Sequence, residues 1–271
     1  KPVPVTTAYN TALELPGGLV GDAAYPQGSG YVVLSLSTAG IVTWAGRLAE
    51  GTSITGTSPL GPTGQTCWHA MLYSNSGSAQ GWARIHLDTA LTEGSLDWFK
   101  HPSTTTRSYR GGIPLHSLGL RGARYTRPPA GQMLLGLTAP ASATSTTPNA
   151  RLLFTGAPLA APLAQPFQVT LAGGVKMPAT GAGNPQGIRL TLAAATGLLS
   201  GGFSLKDPDP LDTTPPIATI TRAATFQGLL ITHPSLTQGI GWFTLPELAD
   251  TPGEKNTTTP VPSGRVDLTA P

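Results

Sequence analysis

The sequence predicts an all-β protein made of two related antiparallel β-meander units, each forming a sandwich or a barrel, with little helix. Three observations lead to this expectation. Glycine and proline are abundant, apolar and polar residues alternate over short stretches, and one pattern of landmarks recurs in order. At 271 residues the chain suits two units of roughly 100 to 150 residues, each able to bury its own core.

Strand-like alternation is clearest at residues 32–36, 167–171 and 188–192, where every second residue is apolar. Gly40 and Gly197 each follow such a stretch, and glycine supplies the positive φ that tight turns need. No stretch keeps a helical period. We therefore expect sequential strands that pair with their neighbours and form a sheet that folds over to hide its edges.

The two units are identified by comparing the chain with itself. The pattern of residues 34–42 recurs at residues 190–199, and a Gly-Trp pair follows each copy at Trp82 and Trp242. Because these tryptophans occupy corresponding positions in the pattern, we expect them to share a packing role.

Composition divides the chain into four segments. The first unit covers residues 1–138, a Pro/Ser/Thr-rich linker covers 139–150, and the second unit covers 151–253. A Thr/Pro-rich segment, 254–271, adds a last strand near residues 266–268. We expect the first unit to lack strands at its start, which processing removes or another chain supplies by β-strand addition.

A set of turn glycines and packing residues runs along most of the chain. These motifs are Pro26-Gln27-Gly28-x-Gly30-Tyr31, Gly46-x-Leu48-x-x-Gly51-Thr52, Leu72-Tyr73, Gly77-Ser78-x-x-Gly81-Trp82, Leu96-x-Trp98-x-Lys100, Gly122-Ala123-x-Tyr125, Thr196-Gly197-Leu198-x-Ser200-Gly201 and Gly239-x-Gly241-x-Phe243-x-Leu245. They resemble a β-rich repeat domain of very large exported bacterial proteins, often found beside immunoglobulin-like or adhesin-like modules. The resemblance implies a β architecture and an extracellular or cell-surface location, and it transfers no catalytic residue.

The leading functional interpretation is a non-catalytic structural or adhesive module that acts through β-strand and sheet-edge contacts. Its partner is another protein or a further copy of the chain. We expect those contacts at Tyr9 and Leu13 near the start of the chain and at Val266 and Leu268 near its end. No apolar run approaches the roughly 20 residues that span a bilayer. We expect no cofactor and no specific nucleic-acid partner.

The alternative interpretation is a carbohydrate-binding module, because flat indole rings on a β face form platforms for sugars. The chain has five tryptophans. Trp44 and Trp98 are the sugar-stacking candidates, since Trp82 and Trp242 are already assigned to packing.

The middle of the chain is purely basic, because no Asp or Glu lies between Asp97 and Asp207. A positive surface attracts anionic ligands, so Arg107 and Arg110 are candidate contacts for an anionic glycan or polysaccharide. A solvated face with scattered arginines is the alternative explanation of the same pattern.

The remaining clusters give no catalytic motif. Cys67 and His69 share a face of a strand, but their spacing alone makes no nucleophile and base pair. Asp207, Asp209 and Asp212 alternate on a loop as calcium ligands do, yet prolines stiffen that loop and no EF-hand pattern is present. We therefore predict no metal site. Carboxylates that meet only in the fold leave a glycan-active hydrolase as the enzymatic alternative.

Overall fold

The structure is a computed structural model that describes residues 6–156, 159–255 and 257–271. Strands make up 51% of the chain and helices 3%, which confirms the predicted all-β fold with little helix. Two eight-stranded antiparallel sheets are present, and each curls into a nearly closed barrel. Short 3-10 turns occur at Gly17–Leu19, Tyr73–Asn75 and Leu134–Gly136.

The first barrel is a meander in which strands that follow one another in sequence are hydrogen-bonded, except β4 and β5. Its strands are β1 (Thr7–Glu14), β2 (Gly30–Leu36), β3 (Ile41–Arg47), β4 (Ser53–Pro59), β5 (Gln65–Leu72), β6 (Gly77–His86), β7 (Leu91–Lys100) and β8 (Ile113–Arg124). The hydrogen-bonded order is β4-β3-β2-β1-β8-β7-β6-β5, so β1 closes on β8 and the sheet ends at a seam between β4 and β5.

The second barrel repeats this ring order. Its strands are β9 (Ala150–Gly156), β10 (Leu163–Val169), β11 (Val175–Lys176), β12 (Arg189–Ala193), β13 (Leu198–Pro208), β14 (Thr219–His233), β15 (Leu236–Thr244) and β16 (Ser263–Thr269). The order β11-β10-β9-β16-β15-β14-β13-β12 places the seam between β11 and β12. The expected last strand of the chain is therefore β16, the eighth strand of this barrel.

Both predicted turn glycines adopt positive φ angles, +74° at Gly40 and +77° at Gly197. The predicted equivalence of the two tryptophans is wrong. Trp82 lies on the sixth strand of its barrel and Trp242 on the seventh strand of the other. Trp82 is 45% exposed, whereas Trp242 is 5% exposed and packs against Gly28 and Gly51 of the first barrel. The two residues therefore share no packing role.

The four predicted partner contacts are also wrong. Tyr9 and Leu13 lie on β1, which is hydrogen-bonded to β2 on one side and to β8 on the other, so no missing strand is needed there. Val266 and Leu268 lie on β16, which pairs with both β9 and β15. All four side chains are at most 3% exposed, because they point into the two barrels. They are unavailable to a partner.

The two barrels share a buried interface. Ala12 and Tyr31 of the first barrel pack against Leu229, Ile231 and Ile240 of the second. Apolar burial of this kind is worth roughly 25 cal/mol per Å², which favours a fixed arrangement of the barrels.

A buried amide side chain also joins the two barrels through hydrogen bonds. The Asn10 side chain, 1% exposed, donates hydrogen bonds to the carbonyls of Thr196 at 3.0 Å and Leu230 at 2.9 Å. Because both acceptors belong to the second barrel, the outer side of β1 is covered, which explains why most of this strand is buried on both sides.

The predicted linker lies between the barrels in sequence. Residues 140–149 contain no strand, and β9 begins at Ala150. Leu134 and Leu137 already pack in the core of the second barrel, so its packing begins before the linker. Among the residues that the structure describes, no helix has the length and apolar character needed to cross a membrane.

Candidate functional site

The predicted sugar-stacking residues are buried. Trp44 is 3% exposed and stacks on Trp68, with ring centroids 5.4 Å apart and an angle of 18° between the rings. Trp98 is fully buried, and its Nε1 donates a hydrogen bond to the Tyr73 hydroxyl at 3.1 Å. Strand alternation turns both residues inward, so the assignment of Trp44 and Trp98 to a ligand is wrong.

Trp82 is instead the tryptophan available to a ligand. All five tryptophans lie within the described residues, and the other four are at most 5% exposed. Trp82 lies on β6, with only β5 between it and the seam, and its side chain is on the outside of the first barrel. The repeat comparison removed it from the sequence-based candidates, although its position on the polar side of an alternating strand signals exposure.

The strand register surrounds Trp82 with small side chains. Cys67 of β5 lies directly opposite it on one side, and Ser95 of β7 lies opposite it on the other. Ser95 in turn pairs with Gly119 of β8. The space that a Cβ of Gly119 would occupy is open, with no heavy atom within 4 Å. A ligand can therefore approach the indole across β7 and β8.

The neighbouring row on the same outer side carries polar groups. In register from β5 to β8 these are His69, Gln80, Asp97 and Ser117. The Ser117 hydroxyl donates a hydrogen bond to the Asp97 carboxylate. Imidazole, amide, carboxylate and hydroxyl groups together offer both donors and acceptors.

We call these two adjoining rows the Trp82 face. It consists of Cys67, His69, Gln80, Trp82, Ser95, Asp97, Ser117 and Gly119. As predicted, Cys67 and His69 share one side of their strand. The face combines one broad apolar ring with a line of hydrogen-bonding groups on a rigid sheet.

Arg107 and Arg110, the predicted anion contacts, donate hydrogen bonds to backbone carbonyls of the chain itself. Nε of Arg107 donates to the Thr259 carbonyl at 2.8 Å, and Nη2 of Arg110 donates to the Thr258 carbonyl at 2.8 Å. The backbone N–H of Val261 completes this attachment by donating to the Arg107 carbonyl at 3.1 Å. Both arginines therefore hold the C-terminal segment onto the first barrel, and their binding of an anionic glycan stays a prediction.

A buried polar network organises the loop that carries these arginines. The Lys100 ammonium donates to the Thr106 hydroxyl at 2.9 Å and to the carbonyls of Ser108 and Tyr109. Burial lowers the pKa of Lys100. Nearby, the Tyr73 hydroxyl donates to the Glu50 carboxylate at 2.5 Å, and burial together with that carboxylate raises the pKa of Tyr73. These contacts fix the loop in place.

Asp207, Asp209 and Asp212 accept local hydrogen bonds, and Asp207 lies near the end of β13 and not on a loop as expected. Asp207 pairs with Arg222 at 2.8 Å, and Asp209 accepts a bond from the backbone of Leu211. Two backbone N–H groups donate to Asp212 and lower the pKa of its carboxyl group. Among the described residues, no group of three or more His, Cys, Asp or Glu side chains is arranged to hold a metal ion.

A concave region lies between the barrels, and we call it the interbarrel cleft. Its volume is about 700 Å³. The residues that line it include Leu15, Tyr25, Tyr109, Glu247, Pro260 and Arg265. The first three come from the first barrel and the others from the second, so the cleft exists only because the barrels are joined.

Comparisons with known protein families, with curated protein sequences and with solved structures give no match for this chain. The fold defines the chain as a two-barrel, all-β protein. Its outer sheet carries the Trp82 face, and its barrel junction carries the interbarrel cleft.

Proposed function

We propose that this chain is a non-catalytic adhesive module that binds an uncharged polysaccharide on the Trp82 face. The observation that carries the proposal is the exposed indole of Trp82 beside a row of hydrogen-bonding side chains. One face of a pyranose ring is apolar and packs on a flat aromatic ring, while its hydroxyl groups need donors and acceptors nearby. The two rows of the Trp82 face supply both requirements.

The carboxylate within the Trp82 face favours an uncharged sugar over an anionic one. The Asp97 carboxylate lies in the polar row and accepts a bond from Ser117, so it repels an anionic ligand. The next row along the same strands is mixed in charge and holds Arg84, Glu93 and Arg121. Glu93 pairs with His86 at 2.8 Å, and Arg121 pairs with Glu14. Arg107 and Arg110 are not part of this face and hold the C-terminal segment.

The biological setting that we propose is an exported bacterial surface or extracellular assembly. It is supported by the resemblance of the turn motifs to repeat domains of that class. A rigid pair of barrels suits such a setting because it holds a recognition face at a fixed distance and orientation within a larger structure.

The test is a glycan array followed by titration calorimetry on the strongest neutral glycan. We expect Trp82→Ala to weaken binding at least tenfold, equivalent to about 1.4 kcal/mol, because the stacking surface is lost. Trp82→Phe, which keeps a smaller ring, should retain part of the affinity. Ile41→Ala is the matched control, because it removes an apolar side chain that is 42% exposed on β3, whereas the Trp82 face lies on β5 to β8.

Three results would contradict the proposal: no glycan bound by the wild type, equal binding by the Trp82→Ala variant, or a preference for anionic glycans.

A protein partner added to the free edge of β12, at the seam of the second barrel, is the second candidate function. That edge of β12 forms no backbone hydrogen-bond ladder with β11. Partner binding there would survive Trp82→Ala.

A further inference from the structure

We propose that the interbarrel cleft is a separate binding site for a small organic cation with an apolar body. The site is distinct from the Trp82 face and does not depend on the proposed glycan binding. Three features support the site: the shape of the cleft, a carboxylate that has no hydrogen bond or ion pair within the described residues, and two tyrosine rings.

The size and lining of the cleft suit a small molecule. A volume of about 700 Å³ lies within the roughly 300 to 1,000 Å³ that is typical of such sites. Leu15, Val20, Pro260 and Pro262 give the walls an apolar character. Sites at domain interfaces are common because two rigid bodies enclose a ligand from both sides.

The cleft is held in shape by hydrogen bonds between the barrels. The Ser29 N–H donates to the Gly241 carbonyl at 3.0 Å, and the Ser29 hydroxyl accepts a bond from Arg265 at 3.0 Å. On the opposite side, the Tyr109 hydroxyl bonds to the Ser263 hydroxyl at 3.1 Å. A ligand therefore meets a preformed site and does not have to order these walls.

The charges around the cleft select the sign of the ligand. Arg265 is neutralised by Asp267, with Nε at 2.9 Å from both carboxylate oxygens. Arg110 is exposed, so solvent screens its charge, and it donates to the carbonyls of Thr106 and Thr258.

The Glu247 carboxylate is the group in the cleft that a cationic ligand would bind. It is half-buried, and its carboxylate makes no hydrogen bond or ion pair with any residue in the described part of the chain. A partly buried carboxylate favours a cation beside it. Charge complementarity therefore points to a positively charged occupant.

Two aromatic rings on the first-barrel side reinforce this choice. The Tyr25 ring packs edge-on against His116, with centroids 5.0 Å apart, and the Tyr109 ring is held through its hydroxyl. The negative face of an aromatic ring attracts ammonium groups, and quaternary ammonium ligands are recognised in this way. Tyr25, Tyr109 and Glu247 all line the cleft, so two aromatic rings and one carboxylate are available to one ligand.

The experiment uses three probes that share a naphthalene ring: 2-naphthylmethyl-trimethylammonium, 2-naphthalenemethanol and 2-naphthalenesulfonate. Each is titrated into the full chain, and its dissociation constant is measured by ligand-observed NMR. We expect the cation to bind about tenfold or more tightly than the sulfonate, the difference expected for one partly screened charge pair. Glu247→Gln should remove this preference.

A matched pair of variants locates the binding. Ala23 lines the cleft, whereas the adjacent Ala24 does not, and both are exposed. Ala23→Trp should block the cation, while Ala24→Trp should leave its affinity unchanged, and circular dichroism confirms that both variants fold. Tighter binding of the alcohol or the sulfonate, binding that survives Ala23→Trp, or no binding of the cation would each overturn the proposal.

Discussion

In the first barrel, Trp44 and Trp68 stack face to face at 5.4 Å, whereas in the second barrel Phe154 meets Phe203 at 4.8 Å and Phe226 at 5.2 Å. The two barrels have the same ring order, so the difference lies in how each interior is filled. Phenylalanine carries no polar atom and needs no hydrogen-bond partner. Each indole has one N–H, and burial makes an unpaired N–H costly.

The hydrogen bonds around Trp98 show how the first barrel meets this requirement at one indole. The Trp98 N–H finds a partner in Tyr73, which in turn donates to Glu50. The Nε1 atoms of Trp44 and Trp68 are buried without a hydrogen-bond partner in the described structure, as is that of Trp242 on the second barrel. The core of the first barrel thus carries the cost of two unpaired indoles, whereas the phenylalanine cluster of the second barrel carries none. The Trp82 face lies on the first barrel.

Removing the centre of the phenylalanine cluster has the largest expected effect. Phe154 is fully buried and contacts three other phenylalanine rings. We expect Phe154→Ala to lower the free energy of unfolding by about 3–5 kcal/mol, because it removes apolar contacts and leaves a cavity. Denaturant titration followed by circular dichroism measures the change.

The same variant tests whether the barrels unfold together. Trp242 is the one tryptophan of the second barrel, so tryptophan emission reports mainly on the first. Because the interface is buried, we expect the emission transition to move with the circular dichroism transition. Phe99→Ala, which changes a half-exposed ring on the outside of the first barrel, is the control and should cost far less. An unchanged emission midpoint for Phe154→Ala would show independent barrels.

A middle-sized effect is expected at glycines that face aromatic rings. In register, Gly56 lies opposite Trp44 in the first barrel, and Gly201 lies opposite Phe226 in the second. A Cβ on Gly56 would lie 2.3 Å from the Trp44 ring. A Cβ on Gly201 would lie 2.4 Å from the Phe226 ring and 1.9 Å from the Arg189 carbonyl oxygen. Both glycines exist to admit the ring beside them.

We therefore expect Gly56→Ala and Gly201→Ala each to cost about 1–3 kcal/mol of unfolding free energy through overpacking. Gly201→Ala should be the worse of the two, because a backbone carbonyl moves less easily than an indole ring. Denaturant titration ranks them, and Gly119→Ala, where a Cβ meets open space, is the control. The opposite ranking would show that the tryptophan stack is the more rigid element.

Local features of the fold follow from the sequence, and long-range features do not. Gly40 and Gly197 were assigned correctly because a turn glycine depends on its own backbone angles. Alternation predicts a strand but not which of its sides faces the core, so Trp44 and Trp98 were assigned to the wrong side. The pairing of β1 with β8 joins residues far apart in the chain, and no local pattern encodes it. The Trp82 face depends on that register.

The smallest expected effect is a pH dependence that His116 gives to the first barrel. Its Nδ1 lies 2.9 Å from the Pro114 carbonyl, and its Nε2 is buried without a hydrogen-bond partner in the described structure. Burial lowers the pKa of His116 from its ordinary value near 6.5. Between the lowered pKa and about 6.5, the unfolded chain binds more protons than the folded chain. Stability is therefore full above pH 6.5 and falls as the pH drops through the lowered pKa.

The test compares the loss of stability between pH 7 and pH 5 in the wild type and in His116→Phe, which keeps a ring between Tyr25 and Trp98. We expect a smaller loss in the variant. A remainder is expected, because burial also lowers the pKa of His233 on the second barrel. His69→Gln, which removes an exposed imidazole, is the control and should behave as the wild type does. An equal loss of stability in His116→Phe would show that groups outside the core of the first barrel cause the acid sensitivity.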